Sequence, residues 1–325
     1  MRSVRESRGV IARLVTVGVL VTWVLASVTI MLVTDLSGTT AWMTGAILVV
    51  SGPTVVIPIL RRTQPTGPSA DILEWEGILI DPVGAMLSVV MLGVVIEGDG
   101  GVAAIGSVIA ILGFGTLSGL IGAVIIVFAL SNSSLSATLR APVALGIAVA
   151  AYTVANLLAP EAGLVATTVA GIALANQQRV DVRDVAVFEE GIGVLVLGSL
   201  FVVLGARVSP SELTDMIGPG LILLAVLVVV ARPLGVLIST LGSGLDRAST
   251  TFMVGLAPRG IVAAATASVF ALELEHEELP GSDVLVPLTF VVIVGAGLIY
   301  GLGAGPLARR LGLTKDAAPS NSVET

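Results

Sequence analysis

Ten stretches of predominantly apolar sequence divide this chain, at residues 10–34, 41–60, 76–96, 102–130, 141–159, 162–176, 188–205, 218–241, 250–272 and 284–306. About twenty residues coiled at ~1.5 Å each match the ~30 Å hydrocarbon core of a bilayer. In hydrocarbon every backbone N–H and C=O must find its partner inside the protein, which leaves helices or closed barrels. The runs are continuous rather than alternating, so a barrel is excluded. The expected fold class is an all-α, polytopic membrane protein of about ten transmembrane helices. A composition of 55% hydrophobic and 12% charged residues agrees.

The same composition removes several kinds of chemistry. There is no cysteine, and the single histidine, His276, lies in the acidic segment ELEHEELPGSD. HExxH, P-loop, GxSxG and GxGD patterns are absent, and GDGG at Gly98–Gly101 reads as an acidic turn. No enzyme activity, cofactor or nucleic-acid partner is expected of a chain with net charge −7. The start resembles a secretory signal, with an Arg-rich head and an apolar body. That body runs from Val10 to Val33, beyond the ~7–15 residues of a cleaved core, and predicts a retained first helix.

If the ten helices alternate sides, thirteen of the sixteen basic residues fall on one side: Arg2, Arg5, Arg8, Arg13, Arg61, Arg62, Arg140, Arg179, Arg183, Arg247, Arg309, Arg310 and Lys315. That side is predicted to be cytoplasmic, with both termini inside a multi-pass cell-membrane protein. Residues 1–306 form the membrane domain in this reading, and 307–325 a short polar cytoplasmic tail. Asn176, Gln177 and Gln178 are read as the end of the sixth helix, and Glu189 and Glu190 as interfacial.

Two spans are interrupted mid-membrane, the second by SGPT at Ser51–Thr54 and the ninth by APRG at Ala257–Gly260. Proline removes a backbone donor and glycine tolerates unwinding, so Gly52, Pro53, Pro258 and Gly260 mark two broken helices. By the alternation they run in opposite directions, the arrangement of an inverted repeat with an ion site where the breaks meet. Gly115-x-x-x-Gly119 and Gly297-x-x-x-Gly301-x-x-x-Gly305 would allow close helix packing.

Charges inside these runs are costly and point to function. Asp81 lies in GILIDPVGAMLSVVMLGVVI, and Pro82 after it frees the carbonyl of Ile78, making a plausible hard-cation site. The alternative makes Asp81 a helix N-cap with Pro82 at N1. A helix starting there would reach only about 22 Å against the ~30 Å core. Arg259 requires a buried anion, either as a structural pair or in binding. Pairing it with Asp81 would compete with a cation, so Glu76 is the expected partner and Asp81 is left exchangeable. Arg232 is placed where it can snorkel to the cytoplasmic interface.

Three segments together resemble the monovalent cation:proton antiporter superfamily, the sodium/proton exchangers: GAILVVSGPTVVIPILR at Gly45–Arg61, EGILIDPVGAML at Glu76–Leu87 and GLAPRGIVAAATASVFA at Gly255–Ala271. FEEGIGVLVLGSLFVVLGARV at Phe188–Val208 is similar to a scaffold helix of that family. The resemblance implies that Asp81 binds the ion and that Glu76 pairs with Arg259. It implies a homodimer, and about three N-terminal helices fewer than family members carry. Where many exchangers have Asn or Asp before the ion-binding aspartate, this chain has Ile80. Where many have Ser after the glutamate, it has Gly77. In place of Thr-Asp-Pro in the first broken helix stand Ser51, Gly52 and Pro53, so Ser51 and Thr54 are the candidates to supply further oxygens.

The function expected is exchange of a monovalent cation, Na+ first and K+ or Li+ as alternatives, for H+ across the bilayer by alternating access at Asp81. A shortened, non-transporting membrane scaffold or partner subunit is the competing reading.

Overall fold

A computed structural model describes residues 2–97, 102–131, 135–207 and 210–314, and among these it is helical with one isolated bridge, Pro65 to Thr314. The chain runs through α1 (Arg2–Arg13), a π-helical stretch Leu14–Gly18, α2 (Val19–Val33), α3 (Gly38–Ile47), α4 (Pro53–Thr63) and α5 (Ser69–Glu97). It continues with α6 (Val102–Ser131), α7 (Ala137–Leu158), α8 (Ala162–Asn176) and α9 (Arg183–Arg207). Then come α10 (Pro210–Val226), a second π-helical stretch Leu227–Ala231, α11 (Arg232–Thr240), α12 (Arg247–Val254), α13 (Ile261–His276) and α14 (Ser282–Arg310).

All ten expected spans have their helices. Six described runs are long and apolar enough to cross a membrane, at Ser7–Val33, Ser69–Ile96, Ile105–Ser131, Thr138–Leu158, Ser211–Thr240 and Ser282–Arg310, with Ala162–Asn176 a shorter apolar helix. The second and ninth spans are each two short helices, α3 with α4 and α12 with α13. Several helices outrun the apolar sequence that announced them. α5 begins at Ser69 and α14 ends at Arg310, because polar first and last turns continue the coil beyond the hydrocarbon. The expected tail therefore starts after Arg310, and its residues 315–325, like the GDGG turn, lie outside the described residues. Gln177 ends the sixth span by accepting from the Arg179 and Val180 amides at 2.7 and 3.0 Å.

The two ends of the chain repeat one order: a helix with a π-helical stretch, a broken helix, then a 29-residue helix. The numbering offset that carries Leu14 to Leu227 also carries Ser69 to Ser282. This is the inverted-repeat architecture. The repeats share a core in which Leu14, Ile30, Ile72, Leu227, Phe252 and Tyr300 are buried together. α6, α7 and α8 pack into a separate bundle that reaches the repeats through α5 and, by way of α9, through α13. Gly115 and Gly119 let α6 approach α8, a methyl at Gly115 meeting the Ala162 carbonyl at 2.7 Å. A methyl at Gly297 or Gly301 would meet nothing within 4 Å among the described residues.

Helix starts inside the repeats carry side-chain caps. Ser37 accepts from the Thr40 amide at 3.3 Å and Asp246 from the Ser249 amide at 3.0 Å. The hydrogen bonds from Ser249 hold the exposed Asp246 carboxyl below its ordinary range. Its folded pKa being depressed, its contribution is complete above the unfolded value of ~3.9 and fades as pH falls through the folded one. Asp246→Ala is expected to cost about 1 kcal/mol at neutral pH. The loss would show as a lower unfolding midpoint in detergent that converges on wild type in acid.

Candidate functional site

The chain crosses itself at the two helix breaks. α3 stops at Ile47 and α4 restarts at Pro53 with Gly52 as its N-cap, while α12 stops at Val254 and α13 restarts at Ile261 after Gly260. The Gly260 amide donates to the Val50 carbonyl at 3.5 Å, and a methyl at Gly260 would lie 2.7 Å from the Gly52 nitrogen. Glycine is required at Gly260 because backbone approaches backbone there.

α5 lies across the break and presents Gly77, Asp81 and Gly84, one helical face at i, i+4 and i+7. A methyl at Gly77 would touch Pro53 at 3.4 Å and the Ser51 carbonyl at 3.6 Å; one at Gly84 would reach the Val50 backbone at 3.4 Å. The two glycines bring the unwound segment down onto Asp81, whose carboxylate faces Gly52. Gly77, a departure from the exchanger pattern, therefore has a packing role. Asp81 is 8% exposed, and its Oδ1 is buried without a hydrogen-bond partner. The N-cap alternative is excluded, since Asp81 and Pro82 sit well inside α5.

A methyl at Gly52 would stand 2.7 and 2.8 Å from the two Asp81 carboxylate oxygens. The backbone there, at φ −71° and ψ 159°, is open to any residue. Gly52→Ala is expected to leave the unfolding midpoint little changed while cutting cation-driven proton movement severely. Vesicle transport measured beside thermal unfolding separates the two effects.

The ion pair beside the crossing differs from the expected one. Glu76 pairs with Arg232, not with Arg259: Arg232 Nη1 donates to Glu76 Oε1 and Nη2 to Oε2 at 3.0 Å. Arg232 does not snorkel; it is 9% exposed, and its Nε donates to the Met253 carbonyl at 2.9 Å. Arg259, 6% exposed, forms no ion pair among the described residues and donates from Nη1 to the Val49 carbonyl at 3.1 Å. The reason lies in the breaks. Interrupting α3/α4 frees the Val49 carbonyl, to which the Arg259 guanidinium donates, and Arg232 adds a second donor to the Met253 carbonyl at the end of α12, which already accepts from the Leu256 amide at 3.3 Å. Ser51, 6% exposed, joins the buried cluster; Thr54 is exposed in the first turn of α4. A cavity of ≈20 Å³ lies among Ser51, Glu76, Arg232 and Arg259, space for about one water.

Pro258 falls in the second break as expected, whereas Pro82, expected to mark a further helix break, lies within α5, which runs unbroken from Ser69 to Glu97. Arg232 is the residue the sequence reading misplaced.

Comparisons with known proteins match nearly the whole of the chain that carries this crossing. The description "Sodium/hydrogen exchanger, transmembrane" fits residues 1–310. The chain belongs to the sodium/hydrogen exchanger family. Its members are transmembrane antiporters rather than enzymes. Among relatives, Na(+)/H(+) antiporter 1 of Methanocaldococcus jannaschii is 26% identical over 300 residues, covering 83% of this chain and 68% of the relative. The K(+)/H(+) antiporter NhaP of Alkalimonas amylolytica is 25% identical over 322 residues, covering 96% of this chain and 54% of the relative. The structure of the sodium proton antiporter MjNhaP1 from Methanocaldococcus jannaschii at pH 8 superposes with a TM-score of 0.81 at 24% identity, covering 95% of this chain and 80% of that one. The fold is thus shared with a solved antiporter, while the chain spans between about half and four-fifths of these proteins' lengths.

Proposed function

We propose that this chain exchanges a monovalent cation, Na+, for a proton across the cell membrane, with Asp81 binding either ion in turn. The observation that carries the proposal is the state of the buried charges. Glu76 is neutralised by Arg232, Arg259 is spent on a backbone carbonyl, and the Asp81 carboxylate alone faces the break with an oxygen that accepts nothing. A hard monovalent cation is held by oxygens, and Asp81 with Ser51 and the unwound backbone offers them. Thr54, being exposed, is outside the buried set. A proton and a cation leave Asp81 with the same charge, so one carboxylate serving both exchanges them one for one. Alternating access then rocks the repeats against the α6–α8 bundle.

Both termini are assigned to the cytoplasm on the distribution of basic residues. The joining of the α4 and α14 C-terminal ends supports this, since Arg61, Arg62, Arg309 and Arg310 cluster there, with Thr66 N bonded to Leu313 O. A homodimer follows from the family resemblance.

The test is the purified chain in liposomes, with internal pH read as Na+, Li+ or K+ gradients are imposed. Na+ and Li+ are expected to drive alkalinisation or acidification according to gradient direction, with K+ ineffective. Equal or greater driving by K+ selects the potassium reading, which the similarity to NhaP favours. No exchange by correctly folded protein selects the scaffold.

A further inference from the structure

We propose that the cavity between α4 and α14 is a binding site for one anionic phospholipid, its phosphate held by Arg62 and Arg309 and an acyl chain laid along the α14 glycines. The cavity measures ≈660 Å³ and is separate from the Asp81 crossing. Its lining divides into two chemistries: Arg62 and Arg309 at the helix ends, and Ile59, Leu302, Gly301 and Gly305 further along the same helices. Neither arginine forms an ion pair among the described residues, and both are exposed. A methyl at Gly301 would meet nothing within 4 Å, and one at Gly305 only the Arg309 guanidinium at 3.7 Å. The Gly297–Gly301–Gly305 series therefore admits no other helix closely among the described residues, and leaves a trough on α14.

Water suits the arginine end but not the apolar one, and a bare hydrocarbon chain suits the apolar end but leaves two guanidiniums facing lipid without a counter-ion. An occupant must carry an anion and an acyl chain on one molecule. Basic pockets between helix ends on the cytoplasmic side recognise anionic headgroups in this way. The back wall is fixed: Thr66 donates through both N and Oγ1 to the Leu313 carbonyl, at 2.5 and 2.9 Å, and Pro65 bridges to Thr314, itself part of the lining. That tie holds the two arginine-bearing ends together, so the site is built before lipid arrives.

Native mass spectrometry of the purified chain in detergent, titrated with phosphatidylglycerol or phosphatidylcholine, tests the proposal without reference to transport. One phosphatidylglycerol per chain is expected to be retained, preferred over phosphatidylcholine by about tenfold. Arg62→Gln with Arg309→Gln should erase that preference. Arg140→Gln with Arg179→Gln, in the α6–α8 bundle and its loop, should keep it, and Gly301→Leu should weaken retention of both lipids. Excess inorganic phosphate should not displace the lipid. Equal retention of both lipids, undiminished phosphatidylglycerol binding by the Arg62/Arg309 variant, displacement by phosphate, or a second copy of the chain excluding lipid would each overturn the site. If that double variant does not fold, Gly301→Leu decides, and full lipid retention by it rejects the proposal.

Discussion

Asp81→Asn is expected to reduce Na+-driven proton movement in everted vesicles to background while the protein remains folded and inserted. Asparagine keeps the shape and removes both the negative charge and the exchangeable proton. Because Asp81 Oδ1 accepts no hydrogen bond, the substitution breaks no existing partnership. Exchanging a buried ionisable group for a neutral amide also relieves the cost of taking charge out of water. Function and fold should therefore separate cleanly at this residue. Undiminished exchange by Asp81→Asn, with the folded state verified by size-exclusion chromatography, would sink the one-carboxylate mechanism.

The opposite separation is expected at Arg232. Its guanidinium holds both oxygens of Glu76 and the carbonyl of Met253, joining α5, α11 and the second break. Arg232→Met strands the Glu76 carboxylate in the interior, while the Met253 carbonyl keeps the Leu256 amide at 3.3 Å. Breaking a buried pair from one side costs about 3–5 kcal/mol, a large part of the ~5–15 kcal/mol by which a domain is stable. Yield and unfolding midpoint should collapse. Adding Glu76→Gln removes the stranded charge and should restore most of the loss. Arg259→Met removes a donor from the Val49 carbonyl only and should be milder. A double-mutant cycle decides which arginine is coupled to Glu76. Coupling to Arg259 and none to Arg232 would contradict the pairing described above.

Hydropathy was sufficient for the ten spans, and SGPT and APRG were sufficient for the two breaks, because proline and glycine act on the backbone locally. Asp81 could be singled out for the same reason: a charge in an apolar run is conspicuous without knowing its neighbours. The partner of Glu76 was not readable. Arg232 and Arg259 are both arginines in apolar sequence, and depth along a span says nothing about which face of a helix looks at which neighbour. Arg259 is taken up by the Val49 carbonyl freed at the first break and Arg232 faces Glu76, an allocation that exists only once the helices have met. Gly77 and Gly84 were invisible for a related reason, since their use is to admit the first break beside Asp81.

The buried acids of the crossing lie in the first half of the chain and its buried arginines in the second, with 156 residues between Glu76 and Arg232. During synthesis Glu76 therefore enters the bilayer long before the Arg232 guanidinium that neutralises it has left the ribosome, and a product that stalls before Arg232 carries that acid unmatched. Assembly order, as well as transport, is written into the separation of these four charges.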